Sequence, residues 1–210
     1  MPDEVFHATI RNLKGIKYTG AVTYQFYGEP LLDSRLVDFV KYTRENLPSA
    51  MFVKVISNGD YLTEDLFERL IEAGMAEISI TIHDRNPARR MERLQPLIDK
   101  HPSNIRVTSI HGHKSLSNRG GAVEIEGETA KKRCMFPRNA IVDFEGNVLL
   151  CCNDYFHANR FGNVVDESIL TIWKKKDFRA LRKAAKKGKP ELQLCEDCLY
   201  PGQQSSHDES

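Results

Sequence analysis

The stretch AVTYQFYGEPLLDSRLVDFVKYTRENLPSAMFVKVISNG, residues 21–59, decides the fold. Residues 21–27 are rich in β-branched and aromatic side chains and run into a Gly-Glu-Pro turn, which is typical of the end of a strand. A helix follows, because four apolar residues then share one helical face: Leu36, Val37, Val40 and Leu47. A second β-rich run at residues 51–56 meets Ser-Asn-Gly. The stretch therefore predicts one strand–helix–strand unit.

The same alternation continues on both sides of this unit. An amphipathic helix is expected before it, and Thr63 predicts the cap of a helix that ends at Gly74. Further strands are expected at residues 77–82 and 105–110, separated by a helical stretch that Pro96 interrupts. Such alternation favours right-handed βαβ units around a parallel sheet. The sequence therefore predicts an α/β fold, either an open sheet or a partial (β/α) TIM-like barrel, with any active site at the carboxyl ends of the strands.

The composition predicts a chain that buries a core and has no strong global charge. It has 210 residues, 40% of them hydrophobic, and a formal net charge of +1. We therefore expect neither nucleic acid nor an anionic membrane as a partner. The N-terminus lacks the apolar core of a signal peptide, and no apolar run approaches the length of a membrane span. The sequence predicts a cytoplasmic protein.

Beyond residue 125 the pattern changes, which predicts a second, small domain. Residues 140–144 and 148–152 flank a Glu-Gly-Asn turn and predict a β-hairpin. Residues 168–187 then predict one amphipathic helix. The expected organisation is an open sheet or partial barrel at 1–124, a small domain at 125–200 and a disordered polar tail at 201–210.

Five cysteines lie in this second domain: Cys134, Cys151, Cys152, Cys195 and Cys198. Disulfides are rare in a reducing compartment, so metal ligation is the first explanation for the group. Four thiolates suit an iron–sulfur cluster, and they also suit a structural zinc ion. Buried free thiols are the third alternative. Since adjacent residues of a strand point to opposite faces, we expect only one of Cys151 and Cys152 to serve one cluster.

The segment CMFPRNAIVDFEGNVLLCCNDYF, followed by GNVVDESILTIW, FRALR and CEDC, resembles the SPASM/Twitch region of radical S-adenosylmethionine enzymes. The resemblance covers residues 134–198. Four residues separate Gly146 from Cys151, as the family pattern requires. The resemblance implies a Twitch-type domain with one auxiliary 4Fe–4S cluster. Its implied ligands are Cys134, Cys151, Cys195 and Cys198.

The upstream half resembles the same superfamily at three strand ends, FYGEPLL, VISNG and ISITIHD. This likeness implies S-adenosylmethionine as a cofactor. The motif that holds its methionine ammonium is matched by Gly28, Glu29 and Pro30, although Tyr27 stands where the family has a first glycine. The residues expected to face the nucleoside are Ser57, Asn58 and Thr81. Arg119, in an Asn-Arg-Gly-Gly segment, is a candidate to bind a carboxylate of substrate or cofactor.

The sequence contains no CxxxCxxC, the family motif that binds the cluster that reduces S-adenosylmethionine. Three explanations stay open: a truncated or misassigned start, a split enzyme whose missing segment lies on a partner chain, or a degenerate paralogue. We expect a radical S-adenosylmethionine oxidoreductase, or the larger part of one, that acts on a peptide or a small molecule. The alternatives are a catalytically inactive cluster-binding or partner-recognition protein and a zinc-stabilised module.

Overall fold

The computed structural model describes residues 1–110, 118–123, 134, 138–189 and 191–199. Its contacts divide the chain into two units, Leu13–His113 and a second one that joins Met1–Asn12 to Lys114–Ser210. The domain boundary expected near residue 125 and the tail expected at 201–210 lie outside the described residues. Among the described helices, none combines the length and the apolar character that a membrane span needs.

The first part of the chain alternates helices and strands. Its elements are helix α1 (Asp3–Gly15), strand β1 (Val22–Tyr24), a 3₁₀ helix (Pro30–Leu32), α2 (Leu36–Asn46), β2 (Val53–Ser57), α3 (Glu64–Glu72), β3 (Glu77–Ile82), α4 (Ala88–Lys100) and β4 (Ile105–Ser109). The four strands form one parallel sheet in the order β1-β2-β3-β4. The parallel strand–helix alternation expected from the sequence is therefore present.

The core of this unit lies between one face of the sheet and the helices. Along β2 and β3, alternate side chains are buried, as in Val53 and Val55 or Ile78 and Ile80. They pack with Phe67 of α3 and with leucines of α3 and α4. Each fully buried side chain of this kind contributes roughly 1.5–3 kcal/mol. The period of two in the sequence thus sets which face of the sheet the helices cover.

The opposite face of the sheet carries a row of charges across three strands. Glu77 lies between Lys54, whose Nζ is 2.5 Å from Glu77 Oε1, and Arg106, whose Nε is 2.6 Å from Glu77 Oε2. Burial raises the pKa of Glu77, but hydrogen bonds from Lys54, Arg106 and Ser79 outweigh it and lower the pKa to about 2. The carboxylate is therefore ionised over the whole physiological pH range.

Two helix boundaries test the sequence signals directly. The Thr63 hydroxyl accepts a hydrogen bond from Leu66 N at 3.2 Å, so the predicted cap is confirmed. The interruption predicted at Pro96 is wrong, because α4 continues through that residue to Lys100. Pro96 is exposed, whereas Leu94 and Leu97 on the other side are buried. The backbone N–H that proline lacks would therefore lie on the solvent side of α4, and the apolar contacts of the other side hold the helix together.

Beyond α1, the described residues of the second unit form a small antiparallel sheet and three short helices. Its elements are β5 (Ile141–Val142), β6 (Asn147–Leu149), β7 (Arg160–Asn163), α5 (Ile169–Lys174), α6 (Lys176–Lys186) and α7 (Gln193–Leu199). The sheet has the order β5-β6-β7. The predicted hairpin is present with shorter strands, and the sequence analysis did not find the third strand, β7.

The single helix predicted at residues 168–187 is wrong, because the chain breaks at Lys175 into α5 and α6. Lys175 has φ −53° and ψ 137°, an extended conformation. Its Nζ donates to Phe161 O at 2.8 Å and to Glu167 Oε1 at 2.5 Å. Phe178 of α6 then stacks on Phe161, with the ring centroids 4.1 Å apart. These contacts to the sheet outweigh the helical preference of the lysine-rich sequence.

Helix α1 is tied to this second unit by Asn12. Its Nδ2 donates to Val164 O at 2.9 Å, and its Oδ1 accepts from Ile169 N at 2.7 Å. One amide thus binds the backbone after β7 and the first free donor of α5. This pair of hydrogen bonds joins the N-terminus of the chain to its C-terminal part.

Candidate functional site

The carboxylate of Glu29 lies at the carboxyl end of the parallel sheet and connects two strand-end loops. Glu29 Oε1 accepts hydrogen bonds from Leu31 N at 3.0 Å and from Ser57 Oγ at 2.6 Å. Glu29 Oε2 accepts one from Asn58 N at 2.9 Å. The structure therefore brings together three of the predicted cofactor residues, Glu29, Ser57 and Asn58.

The loop after β2 has a shape that its residues impose. Ser57 is buried and accepts a hydrogen bond from Gly59 N at 2.8 Å, while Asn58 Oδ1 accepts one from Asp60 N at 2.8 Å. Gly59 has φ 75°, and a Cβ at this position would lie 2.7 Å from a methyl group of Ile80. Only glycine fits there, because the positive φ and the closeness of Ile80 both exclude a side chain. The shape of the Ser-Asn-Gly turn is therefore fixed by its own hydrogen bonds and by its packing against Ile80.

Two arginines of α4, which were not among the predicted site residues, hold the same loop. Arg90 Nη1 donates to Asn58 O at 3.2 Å, and Arg90 Nε donates to Asp84 Oδ2 at 2.7 Å. Arg93 Nη2 donates to Gly59 O at 2.5 Å. The arginines lie three residues apart on α4 and so share one helix face, which is a sequence signal that could have identified them.

The other predicted cofactor residues lie at the same strand ends. Gly28 is exposed, with open space where a Cβ would be, and Pro30 begins the 3₁₀ helix. Thr81 lies on the face of β3 opposite the buried Ile80 and Ile82. Phe26 precedes this turn with φ 144°, a conformation that side-chain-bearing residues rarely adopt. Such strain is concentrated at functional sites, which favours this loop as one.

The hairpin of the second unit delivers two cysteines to one end of the small sheet. Its turn is held by the buried Asp143, whose Oδ1 accepts from Glu145 N at 2.9 Å and from Asn147 N at 2.8 Å. Strand β6 ends at Leu149, so Cys151 and Cys152 lie in the turn that follows and not in the strand. The expectation that strand geometry separates these two thiols is therefore wrong.

The other three cysteines come from two further segments. Cys134 N donates to Ala185 O at 3.2 Å, which attaches Cys134 to the carboxyl end of α6. Cys195 and Cys198 both lie on α7, three residues apart and therefore on one face. All five cysteines are half-buried, and none of them forms a disulfide.

The cysteine side chains influence one another electrostatically. Burial raises the pKa of Cys151 to about 12, with the neighbouring charges of Cys152 and Cys195 as further causes. Burial likewise raises the pKa of Cys195 to about 12, assisted by Cys134 and Cys198. Burial also raises the pKa of Cys152, and its further causes include Cys198 and Cys134. These mutual effects indicate that the five thiols form one group, and the raised pKa values mean that the thiolates of Cys151, Cys152 and Cys195 are stable only with a compensating cation.

A glycine turn packs against the helix that carries the last two cysteines. Asn118 Nδ2 donates to Asp197 O at 2.7 Å. Gly120 and Gly121 both have positive φ, and a Cβ on Gly120 would collide with Leu194 of α7. The same turn brings the charge of Arg119 near Cys152 and opposes the rise in that thiol's pKa. Its expected role in binding a carboxylate stays a prediction.

The donor set fits an iron–sulfur cluster. Soft thiolates from three segments, assembled by a hairpin and two helices, are the ligands that such clusters require. Among the residues that the structure describes, no three His, Cys, Asp or Glu side chains converge closely enough to hold a metal ion. Ligation of one cluster thus requires the thiols to close around it, which the formation of iron–thiolate bonds favours.

Comparison with known proteins identifies the family. Residues 134–199 match the SPASM domain, an iron–sulfur cluster-binding domain. The chain is 31% identical over 205 residues to the S-adenosyl-L-methionine-dependent 2-deoxy-scyllo-inosamine dehydrogenase of Niallia circulans, which covers 94% of this chain and 80% of that protein. The chain belongs to the radical S-adenosylmethionine family with a C-terminal SPASM domain. The iron–sulfur interpretation of the cysteines is confirmed at the level of this domain.

Solved structures of the family agree with the fold. The crystal structure of BtrN in complex with AdoMet and 2-DOIA superposes with a TM-score of 0.86 at 29% identity, covering 100% of this chain and 84% of that chain. Selenomethionine BtrN in an open conformation gives a TM-score of 0.73 at 28% identity, covering 94% and 79%. The predicted radical S-adenosylmethionine fold, a partial barrel with a small C-terminal SPASM domain, is confirmed.

Proposed function

We propose that this chain takes part in the S-adenosylmethionine-dependent oxidation of a secondary alcohol on a small, polyhydroxylated amine. The observation that carries the proposal is the similarity to a 2-deoxy-scyllo-inosamine dehydrogenase, which extends over 94% of the chain and so includes both units. The substrate in the name of that relative is a small molecule, and the similarity gives no support to a peptide substrate or a partner chain.

The strand-end loops are assigned to S-adenosylmethionine. The Glu29 carboxylate already accepts three hydrogen bonds from Leu31, Ser57 and Asn58, so it has little capacity left for a ligand. We therefore assign Glu29 to holding the two loops together. The exposed backbone around Gly28 and Pro30 is left to accept hydrogen bonds from the methionine ammonium. Asn58 and Thr81 are assigned to the nucleoside.

The cysteine group is assigned to the auxiliary 4Fe–4S cluster, with Cys134, Cys151, Cys195 and Cys198 as ligands. When bound, S-adenosylmethionine and the clusters supply the one-electron chemistry, in which one S-adenosylmethionine and one secondary alcohol give methionine, 5′-deoxyadenosine, a ketone and a proton. The chain's own residues bind the cofactor, exclude water from it and hold the thiolate ligands close to the auxiliary cluster. The family's CxxxCxxC is not part of this sequence, so binding tests the assignment more directly than turnover does.

The test combines metal analysis with calorimetry on the anaerobically reconstituted full chain. We expect about four iron and four acid-labile sulfide per chain from one auxiliary cluster. We also expect S-adenosylmethionine to bind, and to bind more tightly when 2-deoxy-scyllo-inosamine is present.

Three outcomes would contradict the proposal, each in a different way. Zinc without sulfide would identify a zinc-stabilised module. A cluster without S-adenosylmethionine binding would identify a catalytically inactive cluster-binding protein. If S-adenosylmethionine binds but 2-deoxy-scyllo-inosamine does not change its affinity, amines of this class are excluded as substrates. The assignment of the cofactor would then stand.

A further inference from the structure

A buried amide contacts one of the cluster cysteines. Asn153 is 3% exposed and directly follows Cys151 and Cys152. Its Nδ2 lies 3.3 Å from Cys198 Sγ, across a separation of 45 residues in sequence. This hydrogen bond connects the hairpin cysteines to the helix α7, which carries Cys195 and Cys198.

The backbone holds Asn153 in this position. Asp154 N donates to Cys151 O at 3.3 Å, and Tyr155 N donates to Asn153 O at 2.8 Å, so the segment turns tightly. The buried carboxylate of Asp154 accepts from Ala158 N at 2.9 Å and Asn159 N at 2.7 Å. The segment is closed by its own hydrogen bonds, and the amide therefore does not depend on the cluster for its place.

The chemistry of the sulfur determines the direction of the hydrogen bond. A cysteine that binds iron does so as a thiolate, which has no proton and can only accept. The amide group must then present its NH₂ to Cys198 Sγ, as it does in the structure. The contact therefore persists, and becomes charge-assisted, when the cysteine is a ligand.

We propose that Asn153 is a positioning residue that raises the reduction potential of the auxiliary cluster. The inference rests on the proposed function, in that Cys198 ligates this cluster. Reduction adds one negative charge, part of which resides on the sulfur ligands. A donor aimed at one of them stabilises the reduced state more than the oxidised state, and burial strengthens the effect. Asn153 thereby makes the cluster a better electron acceptor.

The test is a redox titration of the anaerobically reconstituted full chain, followed by the paramagnetic signal of the reduced cluster. Asn153→Ala removes the donor, and Asn153→Asp replaces it by a carboxylate of nearly equal size. We expect the midpoint potential to shift to more negative values in Asn153→Ala and further in Asn153→Asp. Asn139→Ala, at an exposed amide of the same unit, is the matched control and should leave the potential unchanged.

The outcomes separate this proposal from the proposed function. If the wild-type chain binds no cluster, the proposed function fails. If wild type and both Asn153 variants bind equal iron and sulfide and titrate at the same potential, the role of Asn153 is refuted. If Asn153→Ala binds no cluster, the size-matched Asn153→Asp variant decides: a more negative potential supports the proposal, and an unchanged potential overturns it.

Discussion

Replacing Glu29 distinguishes two roles that a carboxylate at a strand end can have: connecting the strand-end loops or binding S-adenosylmethionine directly. In the structure it accepts hydrogen bonds from Leu31 N, Ser57 Oγ and Asn58 N. Leu31 and Ser57 are buried, so Glu29→Ala leaves two donors without an acceptor and with little access to water. At about 1–3 kcal/mol for each unsatisfied buried donor, we expect the free energy of unfolding to fall by about 2–6 kcal/mol.

The free energy of unfolding of the isosteric variant, Glu29→Gln, should lie between those of wild type and Glu29→Ala. Glu29→Gln keeps one acceptor oxygen for Ser57 and Leu31 but turns an NH₂ group toward Asn58 N, so we expect a loss of about 1–2 kcal/mol. Urea unfolding followed by circular dichroism measures both values, and calorimetry with S-adenosylmethionine measures the effect on binding. Glu72→Gln, at an exposed carboxylate of α3, is the control and should change neither.

A particular combination of results would refute this reasoning. If both Glu29 variants unfold at the same urea concentration as wild type while their affinity for S-adenosylmethionine falls, the carboxylate binds the ligand directly. The hydrogen bonds to Ser57 and Asn58 would then contribute nothing to the stability of the loops. If stability and affinity fall together, and Glu29→Gln is the milder change in both, the connecting role is supported.

Two further perturbations test the cysteine group and the charged face of the sheet. Cys151→Ser should prevent assembly of the auxiliary cluster and Cys152→Ser should not, as measured by iron and sulfide after anaerobic reconstitution; the reverse result assigns the ligand to Cys152. Glu77 is stabilising when ionised, because its pKa is lowered from 4.5 to about 2 by the folded structure. Its contribution is therefore complete above pH 4.5 and is lost as the pH falls toward 2, so urea unfolding at pH 7 and pH 3 should show a smaller pH effect in Glu77→Gln than in wild type. Equal pH effects in the two proteins would contradict that explanation.

The parallel sheet was predictable from local patterns. Its strands show their burial through a period of two, as at Ile78 and Ile80, and helix α3 begins with a recognisable cap, Thr63. These signals are local, because each depends on residues within one turn of helix or one strand. The error at Pro96 arose because the cost of a proline depends on which side of the helix faces solvent, and that is a tertiary property.

The candidate sites were predictable in their residues and less so in their contacts. Chemistry and resemblance identified Glu29 and the cysteines, but they did not show that Glu29 is occupied by protein donors. The break at Lys175 and the contact of Asn153 with Cys198 also escaped prediction. In each case the deciding partner is distant in sequence, as the 45 residues between Asn153 and Cys198 illustrate. Patterns read along one segment carry no information about such partners.

The hydrogen bonds of Asn12 have a consequence for the order in which the chain folds during synthesis. Asn12 leaves the ribosome early, yet its partners Val164 and Ile169 follow 152 and 157 residues later. Domains generally fold as they emerge, so the unit Leu13–His113 can form its parallel sheet first. Helix α1 gains these two hydrogen bonds only after Val164 and Ile169 have been synthesised. It is therefore translated before the parallel sheet but fixed in place after it.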